Sequence, residues 1–246
     1  MSWANLLRAA VCGLMLALVL RPEWFEPMFA PFAPEGAAII YDRASLLSLS
    51  LSHLVIVAAA SVAAVFVALL LAILVTRPSG KAFLPLSRTI ANMGQTFPPV
   101  AVLALAVPML GFGSGPTLVA LFLYGILPIF ENTMTGLSTL PPATMEAARG
   151  IGLSRRQRLF QVELPLALPL ILTGIRLSVV IAIGTATIGS TVAARTLGEV
   201  IIAGLLTNNT AYVLQGGLIV GLFAVLIYDA LTQLETFFQK RLGLAH

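Results

Sequence analysis

The chain has 246 residues, 59% of them hydrophobic and only 10% charged, and its mean hydropathy of +0.99 is too high for a water-soluble domain of this length. With 14 Lys and Arg and 10 Asp and Glu it cannot cover the surface that a soluble fold exposes, and a lone Cys12 excludes a disulfide scaffold. The net charge of +4 reads as the basic bias of a polytopic membrane chain, so no nucleic-acid partner is expected.

Crossing a hydrocarbon core takes about 20 apolar residues, and six candidate stretches occur. The first, Ala9 to Leu20, extends to Leu6 and Leu7 if Arg8 snorkels to the interface. A cleaved leader is its rival reading, opposed by Arg21-Pro22-Glu23 where a small-residue cleavage site belongs. The second, Leu54 to Val75, has Ser61 as its only polar side chain. The third, about Thr89 to Phe112, holds Gln95, Thr96, Pro98, Pro99 and Pro108, which predicts a kinked or locally unwound span. The fourth runs from Thr117 to about Phe130. The fifth, Leu166 to about Gly189, contains Arg176, and the sixth, about Tyr212 to Leu231, has Asp229 near its end.

Six spans place both termini on one side. That side carries Arg8, then Arg77, Lys81 and Arg88, then Arg149, Arg155, Arg156 and Arg158, then Lys240 and Arg241. The other carries only Arg21, Arg43 and Arg195, so the positive-inside rule predicts cytoplasmic termini and a cytoplasmic 131–165 loop. The Arg21 to Ser52 segment and the polar stretch Thr191 to Thr210 then face outward. The expected organisation is all-α: an N-terminal helix with an outward segment over 1–52, a five-span core over 53–231, and a cytoplasmic tail over 232–246.

The 138–165 loop reads as two short helices. Pro141 and Pro142 suit a first helical turn, and Gly150 or Gly152 can supply the left-handed residue that ends it. Ser154 with Gln157 fits a capping box, which predicts a second helix from there to a stop near Pro165. Met145, Ala148 and Gly152 share one face with Ala147 beside them, and small residues let a short helix sit deep in a partner's groove.

Glu146-Ala147-Ala148, three residues to Gly152, nine more to Val162, then Leu164-Pro165 resemble the EAA loop of ABC importer permeases, with Val162 where Ile is commoner. From about residue 45 onward, Gln95–Pro99, Tyr124–Pro128, Val162–Ala167 and Ile183–Ile188 are similar to the osmoprotectant branch, which takes up glycine betaine, choline and related quaternary amines. Val192–Gly198 departs from it, because many relatives carry a glycine-rich run there and this chain has Arg195. The resemblance implies a six-helix type I ABC importer permease (MetI-like) fold in the bacterial cytoplasmic (inner) membrane. It implies that Glu146, Ala147, Ala148, Gly152, Val162, Leu164 and Pro165 dock on an ABC ATP-binding subunit present in two copies. It also implies a second permease subunit, with a different chain favoured over a copy, and a periplasmic or lipid-anchored substrate-binding protein. ATP and Mg belong to the ATPase subunit. This chain has no Gly-x-x-x-x-Gly-Lys-Ser/Thr sequence, and no cofactor is expected in it.

Gln95, Thr96 and Phe97 flank the Pro-Pro pair at membrane depth, where freed backbone must be buried in protein or line a cavity. The cavity is favoured for Gln95, and for Thr96 it stands level with packing between helices. Thr185 and Thr187, with Ser190 and Thr191, either line a polar path or bond back to their own helix. Phe97 is a candidate wall for a quaternary ammonium, which has no N–H to share and gains most from aromatic faces. Arg176 would sit about 16 Å into its helix and is either a translocation residue or a charge paired with Glu131 or Asp229. His53 at a helix start and terminal His246 are expected to be inert, and Cys12 a small apolar residue.

An intramembrane hydrolase built on Ser114 and His53 would lack an orienting acid, and no Cys, His and carboxylate cluster suggests a metal. The competing class is a stand-alone secondary transporter or channel, which would want coupling charges and an inverted repeat and would have no use for an EAA loop.

Overall fold

Proline and glycine punctuate an otherwise helical chain. The computed structural model describes residues 3–243, and no strand occurs among them; His246 lies outside the described residues. Helix α1 (Trp3–Leu20) takes up the first apolar stretch, burying only Leu18 and Val19, and Cys12 is exposed on it. Short turns follow at Pro22–Phe25, Glu26–Phe29 and Ala30–Phe32, each with proline at its first or second position, where the missing N–H leaves no bond unmade.

Helix α2 (Leu46–Thr76) starts well before the apolar window at Leu54, because serines at 48, 50 and 52 keep the backbone ladder while adding no hydropathy. His53 therefore lies inside a helix and not at its start. Further along α2, Ala64, Ala68 and Ala72 are fully buried while Val62 and Phe66 are about 70% exposed. Bulky apolar residues outward and small ones inward invert the pattern of a soluble helix and suit a lipid surroundings, where helix contact is gained by close backbone approach.

The third apolar stretch is two helices, α3 (Leu84–Thr96) and α4 (Pro99–Leu110), bent by 97°. The kink expected there is a full break. Two successive prolines remove two N–H donors, and the residue before a proline is driven extended, as Pro98 is at φ −58° and ψ 140°. Helix α5 (Ser114–Ser138) precedes the loop helices α6 (Pro142–Gly150) and α7 (Arg155–Arg158). A π turn, Leu159–Glu163, joins α7 to α8 (Leu164–Thr185), which tightens into a 3-10 stretch, Ala186–Val192.

Within the stretch expected to be polar and outward lies α9 (Gly198–Leu206), an apolar helix burying Val200 and Ala203 but too short to cross a membrane. The last helix, α10 (Thr210–Arg241), runs ten residues past the expected end at Leu231. Among the described residues five helices can cross a membrane by length and composition, and the bent pair makes six if it counts as one span.

The described residues fall into two compact units. The first gathers those of Met1–Ala60, Phe97–Leu121 and Val180–Tyr228. Buried polar side chains of this unit tie backbone groups through neutral hydrogen bonds. His53 is fully buried, with Nε2 donating to the Ile183 carbonyl at 3.1 Å and Nδ1 accepting from the Leu197 amide at 3.4 Å, which fixes the tautomer. Gln215 accepts from the Tyr41 amide at 3.1 Å and donates to the Ile39 carbonyl at 2.7 Å, while Asn209 donates to the Ala38 carbonyl at 2.9 Å. The Tyr41 hydroxyl donates to Glu199 Oε1 at 2.8 Å, and burial, aided by that carboxylate, pushes the phenol well above its ordinary pKa.

The second unit gathers the described residues of Ser61–Thr96, Phe122–Val179 and Asp229–His246. Its core sets the α2 alanines against Ile126, Ile129, Phe130 and Met134 of α5 and Ala91 of α3. Helix α3 comes so close to α5 that a Cβ on Gly94 would land on the Leu123 carbonyl. The ties here are ionic: Arg77 with Glu163, Arg88 with Glu131 at 3.2 Å, and Arg176 with Glu235 at 2.8 Å.

Candidate coupling site

Helix α6 opens on Pro141 as its cap with Pro142 at the first position. It closes in a Schellman arrangement, the Leu153 amide bonding the Ala148 carbonyl at 3.1 Å and the Gly152 amide bonding the Arg149 carbonyl at 2.9 Å. Gly152 stands at φ +84°, whereas Gly150 stays inside the helix, so of the two glycines Gly152 is the one that ends it. Nothing lies within 4 Å of where its Cβ would be. Backbone conformation, and not crowding, demands glycine.

Ala148 turns inward and is 5% exposed, while Glu146, Ala147 and Gly152 are exposed and Ile151 is 77% exposed. Of the face expected to group Met145, Ala148 and Gly152, Ala148 is therefore closed while Gly152 stays open. Glu146, Ala147, Ile151 and Gly152 are open to solvent together.

The capping box at Ser154 forms in full, Gln157 N donating to Ser154 Oγ at 3.3 Å and Ser154 N donating to Gln157 Oε1 at 2.9 Å. The stop expected at Pro165 does not occur. The π turn over Leu159–Glu163, which includes Val162, widens the backbone just ahead of Leu164 and Pro165, so the proline ring meets no carbonyl of the preceding turn. Residues from Arg155 to Val192 form one helical run of 38 residues. Glu163, buried in that turn, pairs with Arg77 just beyond the end of α2.

Arg176 is 16% exposed and donates from Nη1 to Glu235 Oε2 at 2.8 Å and Thr232 Oγ1 at 3.0 Å. Glu235 also accepts from Thr173 Oγ1 at 3.2 Å. Glu131, one of the two carboxylates expected for Arg176, is engaged by Arg88. Glu235 was missed because it follows Leu231, where hydropathy falls although the helix continues.

Gln95 and Thr96 end α3, and Phe97 follows at the break, all three exposed. Gln95 Nε2 donates to the Tyr124 carbonyl at 3.4 Å, and Thr96 Oγ1 to the Met93 carbonyl at 2.9 Å. Thr185 and Thr187 flank the passage from α8 to the 3-10 stretch, with Thr187 Oγ1 donating to the Gly184 carbonyl at 2.7 Å. The hydroxyls of Thr96 and Thr187 thus each bond back to a carbonyl three residues earlier. Gln95 and Thr96 belong to the second unit, and Phe97, Thr185 and Thr187 to the first. Among the described residues no cluster of His, Cys, Asp and Glu could hold a metal.

Known proteins are similar to this chain in sequence and in fold. The chain is 41% identical over 185 residues to the osmoprotectant import permease protein OsmY of Salmonella typhimurium, covering 75% of this chain and 78% of the relative. It is 37% identical over 182 residues to the choline transport system permease protein OpuBB of Bacillus subtilis, covering 74% and 83%. Among solved structures, the MetNI methionine ABC transporter in inward-facing conformations aligns at a TM-score of 0.69 and 21% identity, over 78% of this chain and 95% of that one. At that identity the likeness shows the fold, which is that of an ABC transporter permease. Residues 64–243, from the alanine stripe of α2 through the coupling segment to the end of α10, match the model of the binding-protein-dependent transport system inner membrane component, and the chain belongs to that family.

Proposed function

We propose that this chain forms, with a second permease subunit, the pathway of an ATP-driven importer for a quaternary-amine osmoprotectant. The exposed arc of Glu146, Ala147, Ile151 and Gly152 docks on a separate ATP-binding subunit, one on each permease, and that subunit holds ATP and Mg. Both termini and the coupling segment face the cytoplasm, and a substrate-binding protein delivers the solute on the opposite side.

The observation that carries this reading is the unbroken helical run from Arg155 to Val192. A partner that moves α6 displaces a segment closed by a Schellman motif, and the capped start of α7 passes that displacement into α8 without a flexible joint. The Arg77–Glu163 pair carries the same displacement to the end of α2. Substrate chemistry is supported by the relatives named for osmoprotectants and choline. It is also supported by Phe97, which is 46% exposed in the first unit. Its ring offers an aromatic face, which suits a cation lacking N–H. Gln95, Thr96, Phe97, Thr185 and Thr187 are the residues assigned to this pathway, whereas Arg176 is assigned to the pair with Glu235.

Gly152→Asp tests the coupling half. Asp and Asn both tolerate the left-handed region better than other side chains, and Asn adds the same bulk without charge. Gly152→Asp is expected to reach the membrane at normal levels, to lose co-purification of the ATPase and to abolish uptake of radiolabelled glycine betaine or choline, while Gly152→Asn keeps most of both. Normal uptake by the Asp variant would sink the coupling assignment.

A further inference from the structure

Behind α6 lies a cavity of about 700 Å³ whose wall carries Arg77, Arg149, Arg155, Arg156 and Arg158 against one carboxylate, Glu163. Glu163 is taken by Arg77. Among the described residues no acidic side chain lies within ion-pair distance of the other four. Arg158 Nε is shut off from solvent and meets no acceptor. Like charges gathered round a concavity repel, and a desolvated guanidinium donor without a partner costs free energy, so the arrangement calls for an anion.

The cavity is not the coupling face. At 100° per residue, Met145 and Arg149, which line the cavity, lie on the opposite side of α6 from Ala147 and Ile151, with Glu146 between the two sides and outside the cavity wall. Its wall also takes in the ends of spanning helices, with Thr76 closing α2 and Arg77 just after it, and Leu137 and Ser138 closing α5. The arginines thus gather where apolar helix gives way to charged loop, at headgroup depth of a bilayer.

We infer that this cavity binds a phosphate-bearing anion, held by the Arg149, Arg155, Arg156 and Arg158 guanidiniums. Planar forks from two helices can each meet two phosphate oxygens. Occupancy ties α6 and α7 to the end of α2, setting the coupling segment against the helices it moves. The phosphate comes either from the headgroup of an anionic lipid or from a soluble ion, and the two sources share one recognition chemistry.

The test uses the full chain purified in neutral detergent without the ATPase, so its outcome is independent of the coupling assignment. Native mass spectrometry would follow retention of phosphatidylglycerol, phosphatidylcholine and inorganic phosphate by wild type and by R156Q/R158Q. Wild type is expected to retain phosphatidylglycerol over phosphatidylcholine, and the double variant to retain it at least about tenfold less, since each basic residue near an anionic surface contributes severalfold to binding. Displacement of the lipid by millimolar inorganic phosphate would assign the soluble source, and no displacement the lipid. Should the double variant fail to purify, R156Q alone, at an exposed arginine, serves, and wild-type retention must fall with added salt. Equal retention by wild type and variant, or none by wild type, overturns the inference. So does a variant that keeps the lipid and loses only ATPase co-purification, which would place these arginines in the protein interface.

Discussion

In the first unit, His53, Asn209 and Gln215 hold backbone groups through neutral hydrogen bonds and are each no more than 2% exposed. In the second, the ties between elements include the ion pairs Arg77–Glu163, Arg88–Glu131 and Arg176–Glu235. Neutral bonds to backbone atoms demand one geometry and are indifferent to salt. Ion pairs tolerate displacement but punish the loss of either partner, since the charge left behind is stranded. The unit with adjustable ties is the one that contains α6 and α7, and the unit with fixed ties contains the segment pinned by Gln215 and Asn209.

Stranding a charge gives the largest expected effect. Arg176→Met leaves Glu235 14% exposed with only hydroxyl and amide donors and should lower stability by about 3–5 kcal/mol. Pairing it with Glu235→Leu removes both charges and should restore most of that loss. The measurement is thermal unfolding in detergent of the two single variants and the double. If the double falls as far as the singles add, the two residues are not coupled, and Arg176 returns to the translocation pathway as a candidate.

Breaking a neutral tie comes next. His53→Ala orphans the Ile183 carbonyl and the Leu197 amide in a fully buried place, at an expected cost of about 2–4 kcal/mol. Raising salt should leave that loss unchanged. A loss that shrinks with salt would mean that the ring carries charge in the folded chain, and the division between neutral and ionic units would not hold.

Much of this was legible in the residues. Among the described residues hydropathy found each helix long and apolar enough to span, because an apolar run of that length has few other uses, and Pro141, Pro142, the Gly150 or Gly152 alternative and the Ser154 with Gln157 capping box located α6 and the start of α7 from local backbone chemistry alone. What escaped depends on tertiary contacts or on helix running past its apolar window. His53 looked inert because its partners lie far along the chain, at Ile183 and Leu197. Glu235 looked like part of a tail. Pro165 looked like a stop because a π turn ahead of a proline leaves no mark in the sequence. The inward turn of Ala148 was equally hidden, since small residues fit a core as well as a partner's groove.

Tyr41→Phe removes only the hydroxyl bond to Glu199 and should cost about 1–2 kcal/mol at neutral pH. Its value lies in the pH dependence. Burial, then the bond to the Glu199 carboxylate and its charge, raise the phenol's pKa in the folded chain above the ordinary value of about 10. The folded state therefore holds this proton more tightly than the unfolded state. Its contribution is whole below about pH 10 and is lost as pH climbs from there through the raised folded value. Wild type should then lose stability above about pH 10 more steeply than Tyr41→Phe, and the two unfolding curves should converge. A constant gap between them would mean that Tyr41 ionises as it does in the unfolded chain, and that the segment from Ala38 to Tyr41 is held by Gln215 and Asn209 alone.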